Sequence, residues 1–174
     1  SAKRVFLNIY GEDFKYDEFV AEYRKFVYEY YEEFGVPIKD GLFELLTYLK
    51  DNGYKIAVAT STSKKVALHH FDLAKVTPFL DEMVCGDMIE RGKPSPDIYL
   101  KASELLGLMP NECIALEDSP NGLRAANSAG LKTIMVPDLI QPDEELSKLF
   151  HKKVNNLFEV IDILIKEKDS IEVS

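Results

Sequence analysis

Four short, almost unbroken apolar runs limit what this chain can fold into. They are YKIAVAT (54–60), MVC (83–85), CIALE (113–117) and KTIMV (132–136), each set between helical stretches. A strand with one wet face alternates apolar and polar residues, whereas a continuously apolar strand must be covered on both faces. The intervening segments carry helix signals. LFELLTYLKDNG (42–53) is amphipathic and stops at Asn-Gly, and a further helix runs from STSKK through about Phe71. SPDIYLKASELLG (95–107) opens with Ser95 as N-cap and Pro96 in its first turn, and SPNGLRAANSAG (119–130) closes at Gly130. Residues 143–151 and 155–167 also read as helices. The expected fold is α/β, a Rossmann-like parallel sheet with helices on both faces.

Ahead of this region, DEFVAEYRKFVYEYYEE (17–33) spaces Phe19, Val20, Tyr23, Phe26, Val27, Tyr30 and Tyr31 three and four apart, on one helix face. Gly35 and Pro37 end it. Aromatics at this spacing are expected to be core. The chain is 46% hydrophobic with a formal charge of −9, a balance that supports a packed core and argues against a nucleic-acid partner. No run approaches the length of a membrane span, and no charged-then-apolar leader opens the sequence. Cys85 and Cys113 sit in apolar stretches and read as thiols of a reducing compartment, which places the protein in the cytoplasm. His69, His70 and His151 have no spacing that suggests zinc.

Open parallel sheets bind ligands beyond the carboxyl ends of their strands. Glu117-Asp118-Ser119 follow one such end, and either cap the next helix or hold a divalent cation through hard oxygens. Thr60-Ser61-Thr62 follow another, where hydroxyls and amides ahead of a helix either cap it or cradle an anion. In RGKPSPD (91–97), Lys93 lies between Gly92 and Pro94, either as a solvated charge or aimed at the same place. Together these ends suit a phosphate accompanied by Mg2+.

ATST after an apolar strand, GKPSPD, and LEDSPNGLRAANSAG, in that order, resemble the haloacid dehalogenase superfamily of phosphohydrolases. Within it they resemble the branch of β-phosphoglucomutase and small sugar-phosphate phosphatases. The resemblance runs from about Tyr10 to the C-terminus. It implies a Mg2+-dependent phosphatase, or a phosphosugar mutase, acting on a small phosphorylated metabolite through a phosphoaspartyl intermediate. It makes Thr60 the hydroxyl on the transferring phosphoryl group, with Ser61 and Thr62 lining the phosphate pocket. Lys93 bridges phosphate and carboxylates, Asp118 ligates Mg2+, and Glu117 supports the metal site through Lys93 or metal-bound water.

The family's Asp-x-Asp motif, at the tip of a first strand, does not occur upstream of Thr60. Aligning RVFLNIYGE (4–12) with that strand describes a non-catalytic relative. A helix over 3–10 instead fits the later part of the helical cap these proteins insert. The second reading divides the chain into a cap remnant, 1–38, and a core, 39–174, lacking its central first strand. It implies an inactive fragment whose open sheet edges invite self-association.

Overall fold

The computed structural model describes residues 2–172. The chain divides into two units, residues 1–37 and 38–174. The first holds helices α1 (Ala2–Tyr10) and α2 (Tyr16–Phe34). RVFLNIY is thus helical, and its alignment with a central strand does not hold. Phe6 lies 5.4 Å from Phe19 and 5.8 Å from Phe14, ring centre to ring centre, and Lys3 pairs with Asp17 at 2.6 Å. Yet no residue of α2 is buried, and Tyr23, Phe26 and Phe34 are mostly exposed. The aromatic face was expected to be core. A pair of helices has too little surrounding structure to enclose one.

The second unit alternates α3 (Leu42–Asp51), β1 (Ala57–Thr60), α4 (Lys64–Leu73), β2 (Glu82–Cys85), α5 (Asp97–Leu106), β3 (Ile114–Glu117), α6 (Pro120–Ala129), β4 (Lys132–Met135), α7 (Glu144–Ser147), β5 (Lys152–Lys153) and α8 (Phe158–Glu172). Every pairing is parallel, as the apolar runs require. Ala57 stands opposite Glu82 and Thr60 opposite Cys85, while Ile114 stands opposite Lys132 and Glu117 opposite Met135. The described strands form two sheets, β1-β2 and β3-β4-β5, rather than one. A cavity of about 330 Å³ is lined by both β1 and β3.

Two apolar layers cover the strands. Ala115 and Val84 pack with Ile98, Tyr99 and Ala102 of α5 and with Ala125 and Ala126 of α6. On the other side Ile134 packs with Leu45 of α3 and with Val160 and Leu164 of α8. Neighbouring strand residues thus divide between layers, as the pleat demands.

Ser119 caps α6 by accepting the Gly122 amide at 3.1 Å, and Gly130 ends that helix with φ 85°. Ser95 was expected to cap α5, but the helix starts at Asp97 with Pro96 in the cap position. The Ser95 hydroxyl instead donates to the Asp97 carboxylate at 2.7 Å, a local side-chain bond that competes with capping. Strand β5 is two exposed lysines and carries no apolar signature. Both cysteines are free thiols. No helix of the described residues is long and apolar enough to cross a membrane.

Candidate active site

Strands β1 and β3 end at Thr60 and Glu117, and Lys93 reaches both from the loop before α5. Its Nζ donates to the Ala59 carbonyl at 3.1 Å, to the Tyr99 hydroxyl at 3.3 Å, and to Glu117 Oε1. The ammonium also lies 4.9 Å from the centre of the Tyr99 ring. The Tyr99 hydroxyl donates in turn to Glu117 Oε1. The other carboxylate oxygen, Oε2, accepts from Ser119 Oγ at 3.1 Å and from the amides of Asp118 and Ser119 at 3.2 and 3.4 Å.

This network answers what a buried carboxylate at a strand tip needs. Glu117 is only 7% exposed, and burial alone pushes its carboxyl up. The Lys93 charge, with hydrogen bonds from Lys93, Tyr99 and Ser119, outweighs burial and holds it below the usual carboxylate range. The Tyr99 phenol moves the other way. Burial and the adjacent Glu117 charge raise it, so it stays protonated and remains a donor.

The neighbouring Asp118 is exposed, and among the described residues its carboxylate enters no hydrogen bond or ion pair. The paired acids therefore differ. Glu117 is enclosed and fully bonded, while Asp118 faces outward and is available. The glycine of SPNG has its own reason, because a Cβ on Gly122 would overlap the Glu117 carboxylate.

At the end of β1, Thr60 Oγ1 accepts the Thr62 amide at 3.2 Å, and the Thr62 carbonyl accepts the Gly86 amide at 3.0 Å. A Cβ on Gly86 would overlap the Ser61 carbonyl, so this glycine permits the two loops to touch. Ser61 is exposed and Thr60 and Thr62 are half-buried. The Lys64 amide at the start of α4 is already capped by the Asp87 carboxylate at 3.0 Å. Lys93 thus links the end of β1, at Ala59 next to Thr60, to Glu117 at the end of β3, with Asp118 following Glu117 and Ser61 and Thr62 following Thr60.

Sequence reasoning missed Tyr99, Ser119 as a Glu117 ligand, and Asp87. Tyr99 lies on the apolar face of α5, where periodicity reads it as core. Its buried hydroxyl was the available signal, since a buried phenol needs a partner. Asp87 reaches α4 from a different strand loop, and no local spacing announces that.

Fold and cluster define a parallel α/β protein whose polar residues gather outside the carboxyl ends of its strands. The haloacid dehalogenase-like hydrolase family matches over residues 2–136, and the chain belongs to that family. A phosphorylated carbohydrates phosphatase of Thermotoga maritima is 39% identical over 94 residues, covering 54% of this chain and 44% of its own length. The structure of CbbY from Rhodobacter sphaeroides in complex with phosphate is 35% identical with a TM-score of 0.62, covering 68% of this chain and 53% of that one. A β-phosphoglucomutase structure from Clostridium difficile is 26% identical with a TM-score of 0.64, covering 78% of this chain and 58% of that one. The chain spans about half the length of the curated relatives it matches.

Proposed function

We propose that the strand-end cluster is the phosphate site of a Mg2+-dependent phosphohydrolase acting on a small phosphorylated metabolite in the cytoplasm. The observation that carries this reading is the asymmetry of the paired acids. Glu117 is bonded to hold Lys93 in place, and Asp118 beside it is free. In this assignment Thr60 donates its hydroxyl to a phosphoryl oxygen, Ser61 and Thr62 line the anion pocket, and Lys93 supplies positive charge. Relatives named as phosphatases of phosphorylated carbohydrates and hexitols support the substrate class.

Among the described residues no group of three or more His, Cys, Asp and Glu side chains could hold a metal. Mg2+ needs less, because it keeps waters and is commonly held by one or two carboxylates together with substrate phosphate. Asp118 fits that role, and Glu117 serves it through Lys93 or a bound water. When present, the ion would neutralise charge developing on the phosphoryl group.

Transfer through a phosphoaspartate requires an aspartate nucleophile, and the 174 residues contain no Asp-x-Asp. We therefore assign to this chain, as it stands, phosphate binding without turnover, and assign the enzymatic reaction to the whole protein. A phosphosugar mutase would use the same cluster, and the structural likeness to a β-phosphoglucomutase supports it as the second reading. Residues 1–37 stand in this proposal as part of a helical cap.

Titration with inorganic phosphate and Mg2+, followed by amide NMR, tests the site. Shifts should centre on Thr60, Thr62 and Asp118, depend on Mg2+, and largely vanish in Asp118→Asn. Shifts elsewhere, or unchanged in that variant, would overturn the assignment. Hydrolysis of a generic phosphate ester that disappears in Asp118→Ala would refute the claim that this chain lacks turnover.

A further inference from the structure

We infer that Tyr99 is a positioning residue of the anion site, whose hydroxyl holds the Lys93 ammonium in one place so that the lysine meets an anion as a fixed charge. This role rests on the phosphate reading above, and Tyr99 lies outside the strand-end stretches that suggested that reading.

A lysine needs such a partner because its ammonium is a point charge on a flexible four-carbon stem. The backbone that carries Lys93 is already tied down. Arg91 donates to both carboxylate oxygens of Asp97, at 3.0 and 2.8 Å, which anchors the loop to the first residue of α5. The Ser95 amide donates to the Gly92 carbonyl at 3.0 Å and closes a turn around Lys93. Neither bond reaches the end of the Lys93 side chain.

Tyr99 does reach it. Its hydroxyl accepts from Lys93 Nζ at 3.3 Å and donates to Glu117 Oε1, the same oxygen that Lys93 engages. The three side chains thus close a ring of hydrogen bonds, and the Ala59 carbonyl takes a further N–H of the ammonium. A lysine ammonium has three N–H groups, and here each has its own acceptor. An ion pair with Glu117 alone would leave the ammonium free to turn about the line joining the two charges. A second, off-axis partner removes that freedom.

The hydroxyl rather than the ring makes the contact, since Nζ lies 3.3 Å from the oxygen and 4.9 Å from the ring centre. The ring packs in an alanine-rich layer with Ala102, Ala115, Ala125 and Ala126, and the residue is only 6% exposed. Phenylalanine would fill that layer as well, so packing gives no reason for an oxygen that must then find partners. Lys93 and Glu117 give the reason. Burial and the Glu117 charge keep the phenol protonated, so it can donate to the carboxylate while accepting from the lysine.

The benefit is preorganisation. A charge already in place need not be ordered when the anion arrives, whereas a loose lysine gives up its rotamer freedom at that moment. Lys93 has no spare N–H, so it acts through its charge, and the Thr60 hydroxyl next to Ala59 would supply the hydrogen bond.

Tyr99→Phe removes the oxygen and keeps the ring. NMR of the 15N-labelled lysine side chains reads the hold on Lys93. Wild type should show a slowly exchanging ammonium signal, assigned by its loss in Lys93→Arg, and Tyr99→Phe should abolish it. Titration with inorganic phosphate reads the consequence, and affinity should fall about two- to tenfold, the worth of ordering one long side chain at binding. Amide shifts should stay within the 91–97 loop, the start of α5 and Glu117. An unchanged ammonium signal would overturn the hold on Lys93. Unchanged affinity would overturn positioning, and so would a rise, which would show Tyr99 withholding a donor. Amide shifts spread through the core would assign the loss to packing and overturn it as well. Should Tyr99→Phe fail to fold, wild type decides: a protected phenolic proton with a nuclear Overhauser contact to the Lys93 Cε protons is expected, and its absence would overturn the role. Wild type that binds no phosphate would count against the phosphate reading, while the ammonium signal still judges Tyr99.

Discussion

Helices α2 and α5 carry apolar residues at the same helical spacing, but only α5 uses them to build a core. It buries Ile98, Tyr99, Ala102, Ser103 and Leu106, whereas α2 buries none. Periodicity shows that a helix has an apolar face. What covers that face is decided by elements far away in sequence. In α5 the covering strands and helices are present, and one buried residue on that face, Tyr99, does polar work as well.

The contrast can be broken most severely at Lys93. Replacing it by Met strands the Glu117 carboxylate in a buried position, and the expected loss of stability is about 3–5 kcal/mol. The exposed pair of Lys101 and Glu104, 2.9 Å apart, should contribute less than about 1 kcal/mol when Lys101 is replaced. Urea unfolding of both variants measures the difference. A loss below about 1 kcal/mol in Lys93→Met would mean that Glu117 finds another partner or takes up a proton.

The next largest effect compares the two helix faces themselves. Ile98 is 0% exposed and Phe26 is 63% exposed. Ile98→Ala should cost about 2–5 kcal/mol, whereas Phe26→Ala should stay within about 1 kcal/mol. Equal losses in the same unfolding experiment would show that the α2 face is buried in solution.

Gly122→Ala sharpens the comparison inside the site. Its Cβ would collide with the Glu117 carboxylate, so the variant should shift the Lys93 and Glu117 resonances and weaken binding of inorganic phosphate. An unshifted spectrum would show that the α6 start yields without disturbing the carboxylate.

The smallest effect is electrostatic and lies at the amino end of β1. Asp81 accepts from Lys50 at 2.8 Å and from the Ile56 amide at 2.7 Å. The Lys50 hydrogen bond, followed by the Ile56 amide, holds this carboxyl below its ordinary value. A lowered folded value means that its stabilisation is present above the unfolded value and disappears as pH falls through the folded one. Wild type should therefore exceed Asp81→Asn slightly in melting temperature at neutral pH, and the two should converge in strong acid. A constant offset at all pH values would assign the effect to packing.

Much of this architecture was legible because it is local. Continuous apolar runs announced parallel strands, Ser119 and Gly130 bounded α6, and adjacent acids at a strand end announced a polar cluster. The parts that escaped are non-local or lack an apolar signature. Strand β5 is two lysines, Asp87 caps α4 from another loop, and Ser95 bonds to Asp97 where capping was expected. The division of labour between Glu117 and Asp118 was equally hidden, since it depends on Tyr99 reaching in from α5.

Where a phosphate settles decides whether the strand ends are the functional site. A crystal structure of the chain grown with Mg2+ and inorganic phosphate tests this directly. An anion is expected at the strand ends, bonded to the Thr60 hydroxyl and close to Lys93, with a metal ion joining it to Asp118. Phosphate bound away from these residues, or strand ends left empty at saturating phosphate, would contradict it.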